Sequence, residues 1–320
     1  MHSTHSPDNL VENDEIDSHI KPALVASILK TIRFYDLFDF PLKIDEVQNY
    51  LYAYKDPLHI KELRATLEYM VKEGQLELIK EYCLLPNRQM LIDTRKGRKF
   101  IAEKFWNRSK LYGQYMRAVP FVKMISICNN LSYDNPSEQS DIDLFIVIKP
   151  GRMWLARFFI TLILQFYGVR RHGQHVVGRF CLSFFVTENK LAMSELALKP
   201  EDPYLAYWTK NLTPIYGEAC YETFKEKNEG WLKTYNLAFT DHQKRHMYFY
   251  KERKTKRFAE WVFGGIVGNF AEWLLKQTFK RRTLSRSKKL GPKSNVVVSD
   301  DMLKFHDHDR RREFYERWKS

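Results

Sequence analysis

Residues 125–149 read ISICNNLSYDNPSEQSDIDLFIVIK, and the decisive part is Ser140-Asp141-Ile142-Asp143-Leu144-Phe145-Ile146-Val147. Two aspartates two residues apart stand at the head of an apolar, β-branched run. The run predicts a buried strand, with Leu144–Ile148 anchoring it in a core. Side chains alternate faces along a strand, so Asp141 and Asp143 project to the same side. Carboxylates held that close repel unless a positive charge lies between them. A hard divalent cation, Mg²⁺ or Mn²⁺, satisfies such a pair with oxygen ligands and leaves positions for substrate phosphates. The plainer alternative is a turn at Asp141 followed by a solvated strand start at Asp143.

Upstream lies a second short apolar strand, Val122–Cys128, then Asn129-Asn130-Leu131-Ser132 and a polar loop from Tyr133 to Gln139. The order of strand, tight turn, loop and strand with Asp-x-Asp resembles the DNA polymerase β-like nucleotidyltransferase superfamily. The resemblance implies an α+β fold, with a nucleotidyltransferase-type mixed sheet flanked by helices. It also implies transfer of a nucleotidyl group from a nucleoside triphosphate to an acceptor hydroxyl. Asp141 and Asp143 match the family's metal-binding, catalytic carboxylates, with Mg²⁺ (or Mn²⁺) as cofactor. Asn129-Asn130 stands where the family has Gly-Ser, and with Ser132 it is expected to line the phosphate turn. Asparagine tolerates the left-handed backbone that glycine supplies there. Arg157, with Arg170 and Arg171, lies on or after the next helix and is expected to neutralise phosphates.

The likeness extends to Gly151–Arg157, Tyr204–Tyr207 through Pro214–Gly217, Phe224–Trp231 and Leu303–His306. These stretches look like a bacterial group in which a winged-helix-like region precedes the transferase domain. The family carries a third carboxylate on a later strand. The candidate here is Arg179-Phe180-Cys181-Leu182-Ser183-Phe184-Phe185-Val186, whose polar member is Ser183, and the nearest acid is Glu188. Two readings of function follow. One is a Mg²⁺-dependent nucleotidyltransferase weakened by loss of Gly-Ser and of the third acid. The other is a catalytically silent protein of the same fold, acting as a nucleic-acid-binding or regulatory module.

The chain of 320 residues is 44% hydrophobic and 15% aromatic, enough for two cores or more. Cys83, Cys128, Cys181 and Cys220 show no CxxC spacing and read as reduced thiols of a cytoplasmic protein. The polar, acidic start is expected to be a disordered tail over 1–19, with no signal peptide. No transmembrane segment is expected: the most apolar window, Trp154–Val169, is short, contains Arg157 and Gln165, and reads as a buried helix.

Residues 20–105 read as a winged-helix-like domain. Helices are expected over Leu24–Phe38, Ile44–Leu51 and His59–Lys72, then a hairpin from Gln75–Ile79 and Tyr82–Leu85. The third helix mixes Lys61, Arg64 and Lys72 with Glu62, Glu68 and Glu73. That pattern suits a docking or substrate-positioning module as well as DNA reading. The transferase domain is expected over 106–235 and a basic helical region over 236–320.

The formal net charge of +13 concentrates in residues 241–294, which hold 15 Lys/Arg against 4 Asp/Glu. Inside lies one expected amphipathic helix, Phe258–Phe279. Two of its i, i+4 rows are apolar: Phe258-Val262-Ile266-Phe270-Leu274 and Ala259-Phe263-Val267-Ala271-Leu275. Three uses fit: lying on an anionic membrane as a peripheral protein, binding nucleic acid through phosphates, or docking on the transferase domain with solvated charges. Near the end, His306-Asp307-His308-Asp309 precedes an expected helix over Arg310–Trp318. Asp307 or Asp309 suits its cap better than a metal.

Overall fold

The computed structural model describes residues 20–239, 246–247, 250–289, 296–305 and 309–320. The expected tail 1–19 and residues 241–245, 248–249 and 290–294 of the basic region lie outside them, as do His306, Asp307 and His308. The chain forms two compact units. One runs to Lys96 and takes in Lys233–Leu237 and Glu316–Ser320; the other is Gly97–Leu232 with Ala238–Tyr315. The first boundary thus falls at 96/97 rather than at 105/106. It lies inside a continuous helix, which composition does not mark.

In the first unit, α1 (Pro22–Asp36) begins with a proline, whose missing N–H is not needed in a first turn. Its buried face is Leu24, Ile28, Thr31, Ile32 and Tyr35. Then follow β1 (Leu42–Lys43), α2 (Ile44–Tyr50), α3 (Ile60–Lys72), β2 (Glu77–Ile79) and β3 (Tyr82–Leu84). The strands make a small antiparallel sheet in the order β1-β3-β2. Gly74, at φ +67°, closes α3 in the left-handed conformation that glycine adopts without strain. A buried ion pair, Arg95 to Glu46 at 2.5 Å, ties α2 to the first turn of α4 (Leu91–Met116).

The second unit is a mixed sheet between helices. After α4 come β4 (Val122–Ile127), β5 (Ile142–Ile148), α5 (Met153–Phe166), β6 (Phe180–Thr187), α6 (Pro203–Lys210), β7 (Thr213–Tyr216) and α7 (Glu218–Lys233). Then come α8 (Lys254–Val262), α9 (Ile266–Lys289), β8 (Val297–Val298), β9 (Met302–Lys304) and α10 (Arg311–Lys319). The strand order is β7-β4-β5-β6-β9-β8. Only β5 and β6 run parallel; the other neighbours are antiparallel. Alternation along β5 sends Ile142, Leu144, Ile146 and Ile148 into the core that includes Trp154 and Ile160 of α5. Phe145 and Val147 go to the other face, against Trp208 of α6 and Phe224 of α7.

Two features of the C-terminal region differ from expectation. It does not stand as a separate helical part, because β9 pairs with β6 through Leu303↔Phe185 and Met302↔Val186 and extends the sheet. The single helix expected over Phe258–Phe279 is also two helices, broken around Gly264-Gly265. Gly268 makes the joint possible, since a Cβ there would stand 1.7 Å from the Phe263 carbonyl oxygen.

The inner side of α8 and α9 is fixed by polar contacts. The Lys256 ammonium donates to the Val122 carbonyl at 2.6 Å and to the Tyr216 hydroxyl at 2.7 Å. Glu260 accepts the Phe121 N–H at 2.6 Å. Glu272 accepts the N–H groups of Trp154 at 3.0 Å and Leu155 at 2.8 Å, and so caps α5 from another helix. Phe263, Ala271, Leu275 and Phe279 pack into the core below. Among the described residues no helix is long and apolar enough to cross a membrane.

Removal of that cap has a defined cost. Glu272→Ala leaves two N–H groups at a buried helix start without an acceptor. It is expected to lower stability by about 1–3 kcal/mol in urea denaturation, with Glu272→Gln intermediate because its amide oxygen still accepts. Equal midpoints for all three proteins would show that water replaces the cap.

Candidate functional site

Asp141 and Asp143 stand at the entry to β5, on the face that continues as Phe145 and Val147. Parallel pairing places Asp143 beside Cys181 of β6. One carboxylate oxygen of each aspartate and the Cys181 sulfur all lie within 4.8 Å of one another. This arrangement depends on an irregularity. Asp143 pairs with Cys181, but Phe145 pairs with Phe184, so β6 carries one extra residue between them. The bulge lets Cys181 face the aspartates while Phe184 still reaches the core.

Each acid has a partner. Asn129 holds φ +56°, the left-handed turn expected of it. Its side-chain N–H donates to Asp143 Oδ2 at 2.8 Å, and its Oδ1 accepts the Trp208 indole N–H at 2.9 Å. The tryptophan fixes which end of the amide faces the acid, because an indole nitrogen only donates. The exposed Arg171 guanidinium donates to Asp141 Oδ2 at 2.6 Å and reaches the Cys181 sulfur at 3.5 Å. Burial, and then the negative charge of Asp141, push the Asp143 carboxyl up to about 6. Hydrogen bonds from Asn129 and Cys181 and the Arg171 charge oppose that rise. Burial, then Asp143 and Asp141, push the Cys181 thiol up to about 12, so it keeps its proton at neutral pH. Burial and the Asp143 charge likewise raise the Tyr204 hydroxyl, which places α6 within the field of the site.

The remaining expected residues fall into three groups. Asn130 is exposed beside the turn, and its carbonyl accepts the Asn135 N–H. The Ser132 hydroxyl donates to the Asn129 carbonyl at 2.7 Å and so braces the turn. The turn is one short 3₁₀ segment, Asn129–Tyr133. Arg157 does not join them. It packs over the rings of Phe305 at 4.5 Å and Phe185 at 5.7 Å, in the core on the opposite face of the sheet. Burial, with Arg170 nearby, pushes its guanidinium down to about 10. Arg157 belongs to α5, which covers the Ile142–Ile148 face and not the face of the aspartates. Glu188 is also removed. It follows the far end of β6 and lies 3.9 Å from Lys123, seven residues or about 23 Å along the strand from Cys181. The position beside the aspartates belongs to Cys181, with Ser183 hydrogen-bonded to that thiol.

Sequence reasoning missed Cys181, Trp208 and Tyr204. Alternation alone assigns Cys181 to the core, and the bulge that brings it to the acids has no sequence mark. Chemically, the site offers two hard carboxylate oxygens and one protonated thiol. The oxygens suit Mg²⁺ or Mn²⁺, whereas the thiol is a soft donor that adds nothing for those ions. Comparison of the chain with protein-family models, curated proteins and solved structures finds no match.

The raised carboxyl predicts a pH-dependent substitution. Asp143 titrates near 6 in the folded protein and near about 3.9 unfolded. Its contribution to stability is therefore complete below the unfolded value and is lost as pH rises through about 6. Asp143→Asn does not ionise. Without metal it is expected to match the wild type near pH 4 and to exceed it above pH 7, by at most about 3 kcal/mol. Thermal denaturation across this range with a chelator present checks it. An equal loss for Asp143→Asn at both ends would show that the carboxylate is satisfied as an anion.

Proposed function

We propose that this protein binds a divalent cation with a nucleoside triphosphate at Asp141 and Asp143, as a Mg²⁺-dependent nucleotidyltransferase. One observation carries this reading: two half-buried carboxylates converge on one face at a strand entry. A mixed sheet between helices, with an Asn129 turn beside the pair, supports the nucleotidyltransferase-type fold. Three helices with a small antiparallel sheet support the winged-helix-like reading of the first unit. Glu62 of α3 pairs with Lys21 at 2.9 Å, and the charge-mixed helix suits a docking role as well as DNA reading.

Asp141 and Asp143 would hold a magnesium ion, which would supply positive charge to the triphosphate. The chain's own groups do the rest. Asn129 holds Asp143 in place, and Trp208 holds Asn129. Arg171, exposed and on the rim beside Asp141, is the cation of this site that would meet the phosphates. In the transfer the acceptor oxygen bonds to the α-phosphorus and the bond to the β-phosphate's bridging oxygen breaks. Pyrophosphate leaves, and the hydroxyl proton passes to solvent.

A specific observation also favours the second reading, a silent protein of the same fold. Arg171 already neutralises Asp141, and a protonated thiol occupies the place beside the acids.

Thermal shift with each nucleoside triphosphate, with and without Mg²⁺ or Mn²⁺, tests binding, because a ligand of the folded state raises the melting temperature. A cation-dependent rise that Asp141→Asn removes is expected; no rise with any triphosphate and either ion overturns the reading. Transfer from an α-labelled triphosphate separates the two readings. Cys181→Asp adds an oxygen ligand and is expected to increase cation-dependent stabilisation and any transfer. Binding without transfer in both wild type and Cys181→Asp selects the silent form.

A further inference from the structure

The helix pair α8–α9 has apolar residues on two sides, and among the described residues only one side is covered. Phe263, Ala271, Leu275 and Phe279 face the core. The outer side carries Phe258, Trp261, Ile266, Val267, Phe270 and Trp273, of which Trp261 is 78% exposed and Ile266 87%. Helix α5, packed beside α9, adds exposed Leu162 and Phe166. Scattered exposed apolar residues are ordinary, but a contiguous set of this kind marks a surface that meets an apolar medium. A helix that is apolar all round belongs between two such media.

Charge identifies the second medium. Between Trp261 and Leu275 the only charged residue is Glu272, and it is turned inward onto the start of α5. Glu260 is turned inward as well, onto the Phe121 N–H. The outer side therefore presents aromatic and aliphatic groups with no carboxylate among them. Exposed Lys251, Lys254 and Arg257 outnumber exposed Glu252 at one end, and exposed Arg281 stands at the other. Self-association through this side would set like charges together, which disfavours a second copy as the occupant. A nucleic acid would use the lysines and arginines and leave the aliphatic groups in water. An anionic bilayer satisfies both: the basic ends meet headgroup phosphates, while tryptophan and phenylalanine enter the headgroup–acyl boundary where amphipathic rings concentrate.

We propose that the outer face of α8–α9, with Leu162 and Phe166 of α5, is a membrane-docking surface for anionic phospholipid. The helices lie on the bilayer and do not cross it. The surface is pre-formed, because Lys256, Glu260 and Glu272 hold the inner side to the sheet and to α5. This inference is independent of what Asp141 and Asp143 bind.

Flotation of the full chain with vesicles of phosphatidylcholine, with and without phosphatidylglycerol, tests it. Binding to the anionic vesicles is expected, with quenching of tryptophan fluorescence by brominated acyl chains. Trp261→Ser with Trp273→Ser is expected to weaken binding by about tenfold or more. Lys254→Glu with Arg257→Glu should also weaken it, and added salt should do so in part. Circular dichroism shows whether the variants fold, and quenching of the wild type reads insertion without any variant. Each of these outcomes overturns the proposal: no binding to anionic vesicles; equal binding to neutral ones; binding without quenching; or a dimer in solution that Phe270→Ser converts to monomer. RNA binding that outcompetes anionic vesicles and survives the tryptophan substitutions overturns it too.

Discussion

The alternation along Ile142–Ile148 is the constraint on which the second unit rests. Four aliphatic side chains on one face require the cover supplied by α4, α5 and α9. Phe145 and Val147 on the other require α6 and α7. Those two residues fix where Asp141 and Asp143 emerge, because the acids continue the same row past the edge of the core. A one-residue slip of β5 would turn both carboxylates to the face under α5 and drive Leu144 and Ile146 into the space that α6 and α7 shape for Phe145 and Val147. The burial of four aliphatic side chains, worth about 1.5–3 kcal/mol each, far exceeds the repulsion between two aspartates. Register is thus set by apolar burial, and the acidic pair follows from it.

Repulsion between the acids is reduced in three ways. Asn129 gives Asp143 a neutral donor, the Cys181 thiol gives it a second, and Arg171 gives Asp141 a full positive charge. These partners differ in how easily they leave. Asn129 is locked by Trp208, and Cys181 is fixed in β6. Arg171 is exposed, so its bond to Asp141 works against water and is worth little net free energy. The charge of the acidic pair is thus compensated from within the chain, firmly at Asp143 and more loosely at Asp141.

Much of this was legible in the chain. The Asp-x-Asp at a strand entry, the left-handed Asn129 and the three helices with a hairpin near the N-terminus all follow from local pattern and local dihedral preference. What stayed hidden depends on long-range pairing. Cys181 reaches the acids through a bulge, and a single extra residue in β6 inverts the parity from which Ser183 was chosen. Arg157 is four residues into a helix whose covered face only the sheet can define, so its charge pointed to phosphates while its stem packs on Phe185 and Phe305. Glu188 follows Cys181 closely in sequence, yet it stands at the other end of a parallel strand.

The double apolar row of residues 258–279 shows the same limit from the opposite side. Sequence gives the two rows and the basic ends but cannot say which row the protein covers. The break at Gly264-Gly265 and the inward anchors at Lys256, Glu260 and Glu272 settle the choice, because a side chain bonded to the sheet or to α5 orients its whole helix. Once Glu272, Ala271, Leu275 and Phe279 point inward, Ile266, Phe270 and Trp273 fall on the opposite side, about 100–160° around the helix from Glu272. The exposure of that row is therefore a consequence of the same hydrogen bonds that cap α5. It cannot be relieved by rotating α9 without leaving Trp154 and Leu155 uncapped and withdrawing Leu275 and Phe279 from the core.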